Sequence, residues 1–362
     1  MAPSGPTAPA VASLTTQDGG SPSPPRLARS AGIVGTATLA SRLLGLVRDQ
    51  VLAYLFGASN AMDAFNVAFR IPNLMRDLFA EGAMSAAFVP TFTKRLTLQG
   101  KAAAWRVGNQ LVNALLIITG SFVLLGIVFA EPLVRLLAGS YADVPGKLEL
   151  TVFLTRILFP FLTLVAVAAA VMGMLNSLNR FFTPALSPAM FNVSLIASAF
   201  LLVPVMPRFN LEPIMAIAFG VVVGGLGQIA LQYWALHREG FRYRPALDLA
   251  DRGVRTILGL MGPGTVAGAA VQVNVLVNTF LATSQGTGAV TWLTFGFRLM
   301  YLPIGVLGVS IATAALPVLS RQAARAETAA LRRTVSQGLR LMLVLTIPAT
   351  VGLIVLAEPI VR

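Results

Sequence analysis

Long apolar stretches, broken by short polar links, run along most of this chain. Crossing a bilayer takes roughly 20 mostly apolar residues in a helix. By that measure nine stretches qualify, at about 31–56, 61–93, 107–130, 150–175, 184–205, 211–236, 256–283, 288–319 and 334–357. The pattern predicts an all-α polytopic membrane protein with about nine transmembrane helices. Pro72 and Pro303 fall inside the long second and eighth stretches, where they predict kinks. The links GASN (57–60) and SQGTG (284–288) are short enough to make antiparallel hairpins of the helices they join.

Composition agrees. The 362 residues are 56% hydrophobic and 11% charged, with mean hydropathy +0.77. A soluble domain would carry about 25% charged residues. Residues 1–30 are rich in Pro, Ser, Gly, Ala and Thr and predict a disordered cytoplasmic tail. They hold no basic head followed by an apolar core, so they do not read as a signal peptide. The net charge of +13 comes from basic residues spread over links, which points to anionic membrane lipids rather than nucleic acid. Placing the N-terminus in the cytoplasm puts Arg26, Arg29, Lys94, Arg95, Lys101, Arg106, Arg180 and the arginine-rich links near 238–255 and 321–333 inside. Only Arg135, Lys147, Arg208 and Arg362 then lie outside, so the bias favours that orientation.

Little chemistry beyond binding is predicted. There is no cysteine, and the one histidine, His237, reads as a residue of a polar loop. No dense metal-ligand cluster and no GxxxxGK[ST] phosphate loop appear. Neither an enzyme, a metal nor a cofactor is expected.

The chain also repeats itself. FAEPLVR (129–135) returns as LAEPIVR (356–362), 227 residues later. Pro90 matches Pro317 at the same offset, and Arg70 matches Arg298 at 228. Transporters are often built from such repeats, with the substrate site between them. The first copy continues for three more helices and the second stops at Arg362. The sequence therefore reads as a six-helix N-lobe over 31–240 and the first three helices of a C-lobe over 241–362, as a fragment or a frame that ends early.

Charges then mark the chemistry. Arg42, Arg48, Asp49, Asp63, Arg70, Arg76, Asp77 and Glu81 all lie in the first two apolar stretches. A central Arg costs roughly 2.5–3.5 kcal/mol in insertion assays. At 100° per residue, Ser41, Arg42, Arg48 and Asp49 share one stripe of the first helix. Asp63, Asn66, Arg70, Asn73, Asp77 and Glu81 share one of the second, with Arg76 to one side. Thr291, Thr294, Arg298 and Tyr301 share one of the eighth, and Asn274 and Asn278 sit a turn apart on the seventh. Polar faces in a membrane point away from lipid, which predicts a wet, charged cavity. Arginine suits phosphate oxygens, and Arg42, Arg48, Arg70, Arg76 and Arg298 together suit a diphosphate. The plainer alternative is self-neutralisation, since Arg42 and Asp49, and Arg70 and Asp77, are each seven apart. Asp63 opens its helix, where a capping role and a substrate role both fit. Glu81 reads as structural. Arg156 and Arg340 read as snorkelling or capping residues. The glycine runs at 220–227 and 262–270 read as close-packing surfaces.

SRLLGLVRD, DAFNVAFRIPNLMRDLFAEGAMSAAFVP and LGVSIATAALP resemble the MurJ (MviN) lipid II flippases of bacterial cell-wall synthesis, relatives of the multidrug MATE transporters. The resemblance implies alternating access of two lobes in the plasma (inner) membrane. The cargo it implies is the undecaprenyl-diphosphate-linked peptidoglycan precursor, lipid II, moved from the inner to the outer leaflet. It assigns cavity roles to Arg42, Arg48, Arg76 and Arg298, and matches Asp49, Asp63 and Asn73. It also makes cell-wall synthesis proteins candidate partners. Family members usually have about fourteen helices, of which this chain lacks about the last five. Two rival readings are a cation-coupled multidrug exporter, which calls for acidic and aromatic walls, and a non-transporting truncated membrane scaffold.

Overall fold

The computed structural model describes residues 24–76, 83–245, 272–308 and 327–358, with isolated positions in 255–259 and 311–325. All regular structure among them is helical. The helices are α1 (Pro24–Phe56), α2 (Asn60–Arg76), α3 (Ala83–Val128), α4 (Ala130–Ala138), α5 (Lys147–Leu158), α6 (Pro160–Ser177), α7 (Phe182–Leu201) and α8 (Met215–Arg238). They continue as α9 (272–283), α10 (Ala289–Pro303) and α11 (Thr328–Val355). Five segments are long and apolar enough to cross a membrane: Phe88–Val128, Lys147–Ser177, Phe182–Leu201, Met215–Arg238 and Thr328–Val355. The chain is a multi-pass membrane protein.

Four boundaries differ from those read off the sequence, each for a local reason. Helix α1 is described from Pro24, so the last seven residues of the expected tail are helical, and proline is tolerated in a first helical turn; residues 1–23 lie outside the described residues. The end of the second stretch belongs to α3, which runs from Ala83 through a single non-helical residue, Gly100, with φ 79°, into the third stretch; residues 77–82 lie outside the described residues. The fourth stretch is two helices, α5 and α6, meeting at Phe159, because Pro160 cannot donate to the preceding turn. His237 lies in the last turn of α8, not in a loop. Of the two expected kinks, Pro303 ends α10 at a π-helical turn, Ile304–Gly308, whereas the helix runs on through Pro72 to Arg76.

The repeat is visible in the backbone. Helix α3 ends at Val128, Phe129 turns, and α4 opens on Ala130 and Glu131. Helix α11 ends at Val355, Leu356 turns, and Ala357 and Glu358 are helical again. The expected matches at Pro317 and Arg362 lie outside the described residues.

Four buried clusters hold the helices, the smallest being Val123, Phe159 and Leu162 where α3 meets the α5–α6 junction. One joins α3, α6 and the end of α8 through Phe88, Phe92, Leu111, Met174, Leu236 and Phe241. A second joins α1, α2, α5, α7 and α8 through Leu52, Phe65, Leu158, Phe161, Leu195 and Ile217. The third fastens the α9–α10 hairpin onto the first repeat, with Ala282 and Val290 against Val67, Val134 and Leu148. Lipid is as apolar as these side chains, so shape rather than water exclusion selects the contacts. The glycine run in α8 acts this way: a Cβ on Gly224 would lie 3.0 Å from the backbone of Phe191 on α7.

Candidate functional site

Helices α2, α9 and α10 enclose a cavity of about 660 Å³. Its polar lining comes from residues three or four apart on each helix: Asn66, Arg70 and Asn73, then Asn274 and Asn278, then Thr294, Arg298 and Tyr301. Such spacing gives a helix one wet face and leaves the other faces apolar for packing. Asn278 donates to the Asn274 side chain at 2.8 Å. Phe69, Leu293 and Phe297 supply apolar wall between the polar groups.

Arg298 continues from the cavity into α1. Its Nη1 donates to Asp49 Oδ1, the oxygen that also accepts from Arg48 Nε at 2.9 Å and Arg48 Nη2 at 2.8 Å. The remaining Arg48 Nη1 donates to Asn192 Oδ1 at 2.8 Å, and Asn192 Nδ2 donates to the Ser41 carbonyl at 2.9 Å. The Arg48 guanidinium also lies 5.8 Å from the Phe191 ring centroid. Helices α1, α7 and α10 thus meet through one carboxylate and one amide. Two guanidinium groups on one carboxylate leave a surplus positive charge. In a site partly shielded from water such a charge acts more strongly on an anion than it would in bulk solvent.

Asp49 therefore pairs with Arg48 and Arg298, and not with Arg42 as the seven-residue spacing allowed. Seven residues rise about 10.5 Å along a helix, so Arg42 and Asp49 face the same way without touching. Arg42 is exposed and lies against the π-helical turn, its Nη1 3.8 Å from where a Cβ of Gly305 would be.

Asp63 has a different environment. It is fully buried, and Lys147 Nζ at the start of α5 donates to its Oδ2 at 3.1 Å. The same oxygen accepts from the Gly288 N–H at 2.7 Å. Oδ1 accepts from the N–H and hydroxyl of Thr291, at 3.0 and 2.7 Å. Gly288 is the N-cap residue of α10, so Asp63 caps a helix of the second repeat as well as standing in the first turn of its own. Asn66 adds a 3.2 Å bond to the Thr291 hydroxyl, and Thr287 donates to Asn60 at 2.9 Å. Tyr141 lies under Lys147, with the ammonium 4.0 Å from the ring centroid. Burial and the Asp63 carboxylate hold the Tyr141 phenol above the usual tyrosine range, so it stays neutral.

Of the residues singled out from the sequence, Arg70, Asn73 and Arg298 line the cavity, with Arg48 and Asp49 joined to Arg298. Ser41 is buried and takes part through its carbonyl. The Arg76 side chain, Asp77 and Glu81 lie outside the described residues. Two participants were missed. Asn192 is a lone amide in an apolar stretch, which was itself a signal. Lys147 was counted only as a loop charge.

A family model described as "Lipid II flippase MurJ" matches residues 52–362. A probable lipid II flippase MurJ of Rhizobium meliloti is 35% identical over 346 residues, covering 93% of this chain and 63% of the relative. Its counterpart in Bdellovibrio bacteriovorus is 37% identical over 339 residues, covering 93% and 64%. The chain spans less than two thirds of the length of these relatives. Among solved structures, a lipid II flippase MurJ in an inward closed conformation superposes with a TM-score of 0.73 at 26% identity, covering 90% of this chain and 66% of that one. An inward-facing MATE multidrug transporter shares the fold at 16% identity, with a TM-score of 0.69 over 91% and 74%. On this match, and on a helical frame that is the same, the chain belongs to the lipid II flippase MurJ family.

Proposed function

We propose that this chain forms the larger part of a flippase for the undecaprenyl-diphosphate-linked peptidoglycan precursor. The observation that carries this reading is the carboxylate of Asp49, which gathers Arg48 from α1 and Arg298 from α10 at the edge of the cavity. Arg70 and Asn73 line the same space. In this reading the guanidinium groups hold the diphosphate. The asparagine and threonine lining passes the sugar–peptide head group, and the polyprenyl tail stays in lipid. Arg42 and Arg76 complete the basic set as the cargo moves. The lobes are 31–240 and 241–362 together with what the relatives carry beyond it. They rock about the α2–α10 contact in the inner membrane with the N-terminus cytoplasmic, driven by membrane potential or an ion gradient.

The multidrug exporter reading shares the fold, but a cationic drug would meet arginine where it needs carboxylate. The scaffold reading needs no cavity. Expression in a flippase-depleted bacterium separates the three. Rescue of growth is expected from this chain carried in a full-length relative's frame, with loss of rescue in Arg42→Ala, Arg48→Ala and Arg298→Ala at unchanged membrane levels. Rescue by all three variants would contradict the site. Failure of that unsubstituted full-length form at normal levels would favour the scaffold.

A further inference from the structure

A second cavity, of about 230 Å³, lies away from this site, between α4 and α5. Its charged lining is Glu131 and Arg135 from α4 and Glu149 and Arg156 from α5, with Val152 and Phe153 between the last two. Arg156 is the anomaly. It is the tenth residue of α5, roughly 13 Å along the helix from Lys147, in a segment long enough to cross the membrane, yet it is exposed. A guanidinium facing outward at that depth is costly unless an anion meets it. Its Nε donates to the Ile127 carbonyl in the last turn of α3, at 3.4 Å. That bond leaves the terminal nitrogens without a hydrogen-bond partner among the described residues. Glu149 is exposed and makes no ion pair among them either. It stands seven residues, about 10.5 Å, from Arg156 on one helix face and is not paired with it. Glu131 and Arg135 pair with each other at 2.9 Å across the cavity's other wall.

We propose that this cavity binds the headgroup of a zwitterionic aminophospholipid from the leaflet on the α4 side. Two features select that chemistry. The four charged groups sum to zero, which suits an ammonium–phosphate pair better than a purely anionic lipid. Their order along α5 is also that of the headgroup: Glu149 near the water end, for the ammonium, and Arg156 deeper, for the phosphate. Phe153 in the lining, and Val128, Phe129 and Leu136 along the end of α3 and α4, are exposed and apolar, giving the acyl chains a surface to lie on. A lipid phosphate in this position supplies the anion that Arg156 otherwise lacks.

Native mass spectrometry of the purified chain, equilibrated with phosphatidylethanolamine and phosphatidylglycerol of matched acyl chains, tests the assignment. Retention of phosphatidylethanolamine over phosphatidylglycerol by about fivefold is expected, a ratio in keeping with one interfacial charge contact. Glu149→Gln, which leaves the lining net positive, should remove that preference, and Arg156→Ala should lower retention of both lipids, while Arg156→Lys keeps part of it. Both positions are exposed, and melting temperatures within a degree or so of the parent would confirm an intact fold. Equal retention of the two lipids, an unchanged preference in folded Glu149→Gln, or unchanged retention in folded Arg156→Ala, would overturn the proposal. So would displacement of the lipid by water-soluble glycerophosphoethanolamine at equal concentration, which would show a site for the free headgroup.

Discussion

Asp63 shows how one side chain can serve both repeats. It satisfies a buried ammonium from α5 and two backbone N–H groups that open α10. Removing one partner of a buried pair costs about 3–5 kcal/mol, because the other charge stays behind without compensation. Asp63→Ala should therefore lower the melting temperature of the purified chain sharply, and Lys147→Met combined with it should recover part of the loss. Gly288 is the second sensitive position. Its φ of +89° is one that L side chains rarely adopt, and a Cβ there would lie 2.8 Å from the Ala58 carbonyl oxygen. Gly288→Ala should cost about 1–3 kcal/mol by the usual scale for such strain, and thermal unfolding would measure it. Gly286→Ala, also at positive φ but with nothing within 4 Å, should cost less.

At the scale of elements, the wet faces of α2 and α10 were legible because a 3.6-residue period is a property of the sequence itself. Asn66, Arg70 and Asn73 fall on one side of any helix that contains them, and all three line the cavity. Partners were not legible. Nothing in SRLLGLVRD says that Asp49 will bond Arg298, 249 residues away, rather than Arg42. That choice is made by how α1 and α10 cross. Lys147 was hidden for a related reason, since a lysine at a helix start reads as a water-facing charge until the fold buries it to 4% exposure. Small residues on α8 read correctly, because close approach depends on size alone. Gly224→Leu should separate α8 from α7 and reduce both stability and membrane yield, whereas Leu226→Ala on the exposed face should change neither appreciably.

For the whole molecule, the repeat explains why the two halves meet where they do. Thr291 follows Asp63 by 228 residues, the offset that also relates Arg70 to Arg298. Thr287 follows Asn60 by 227, the offset of the two AEP motifs. Equivalent positions of the two copies thus bond to each other. A transporter that opens alternately on its two sides would part these residues in one of its states. The chain has no native cysteine, so Asn60→Cys with Thr287→Cys gives a clean test. If the proposed flippase moves at this contact, oxidation should crosslink the pair and stop translocation by the full-length form, and reduction should restore it. Translocation at the normal rate while crosslinked would rule out movement at this contact.

The central claim is that the basic cavity recognises a diphosphate on a lipid. It is tested most directly by titrating the purified chain with undecaprenyl-diphosphate-linked precursor and reading the dissociation constant. Saturable binding is expected, weakened about tenfold or more by Arg298→Ala and by Arg70→Ala, in line with loss of one charge-assisted contact of 1.5–3 kcal/mol. Undecaprenyl monophosphate should bind more weakly than the diphosphate. Equal affinity of the parent and both folded variants, or no preference for diphosphate over monophosphate, would contradict the account.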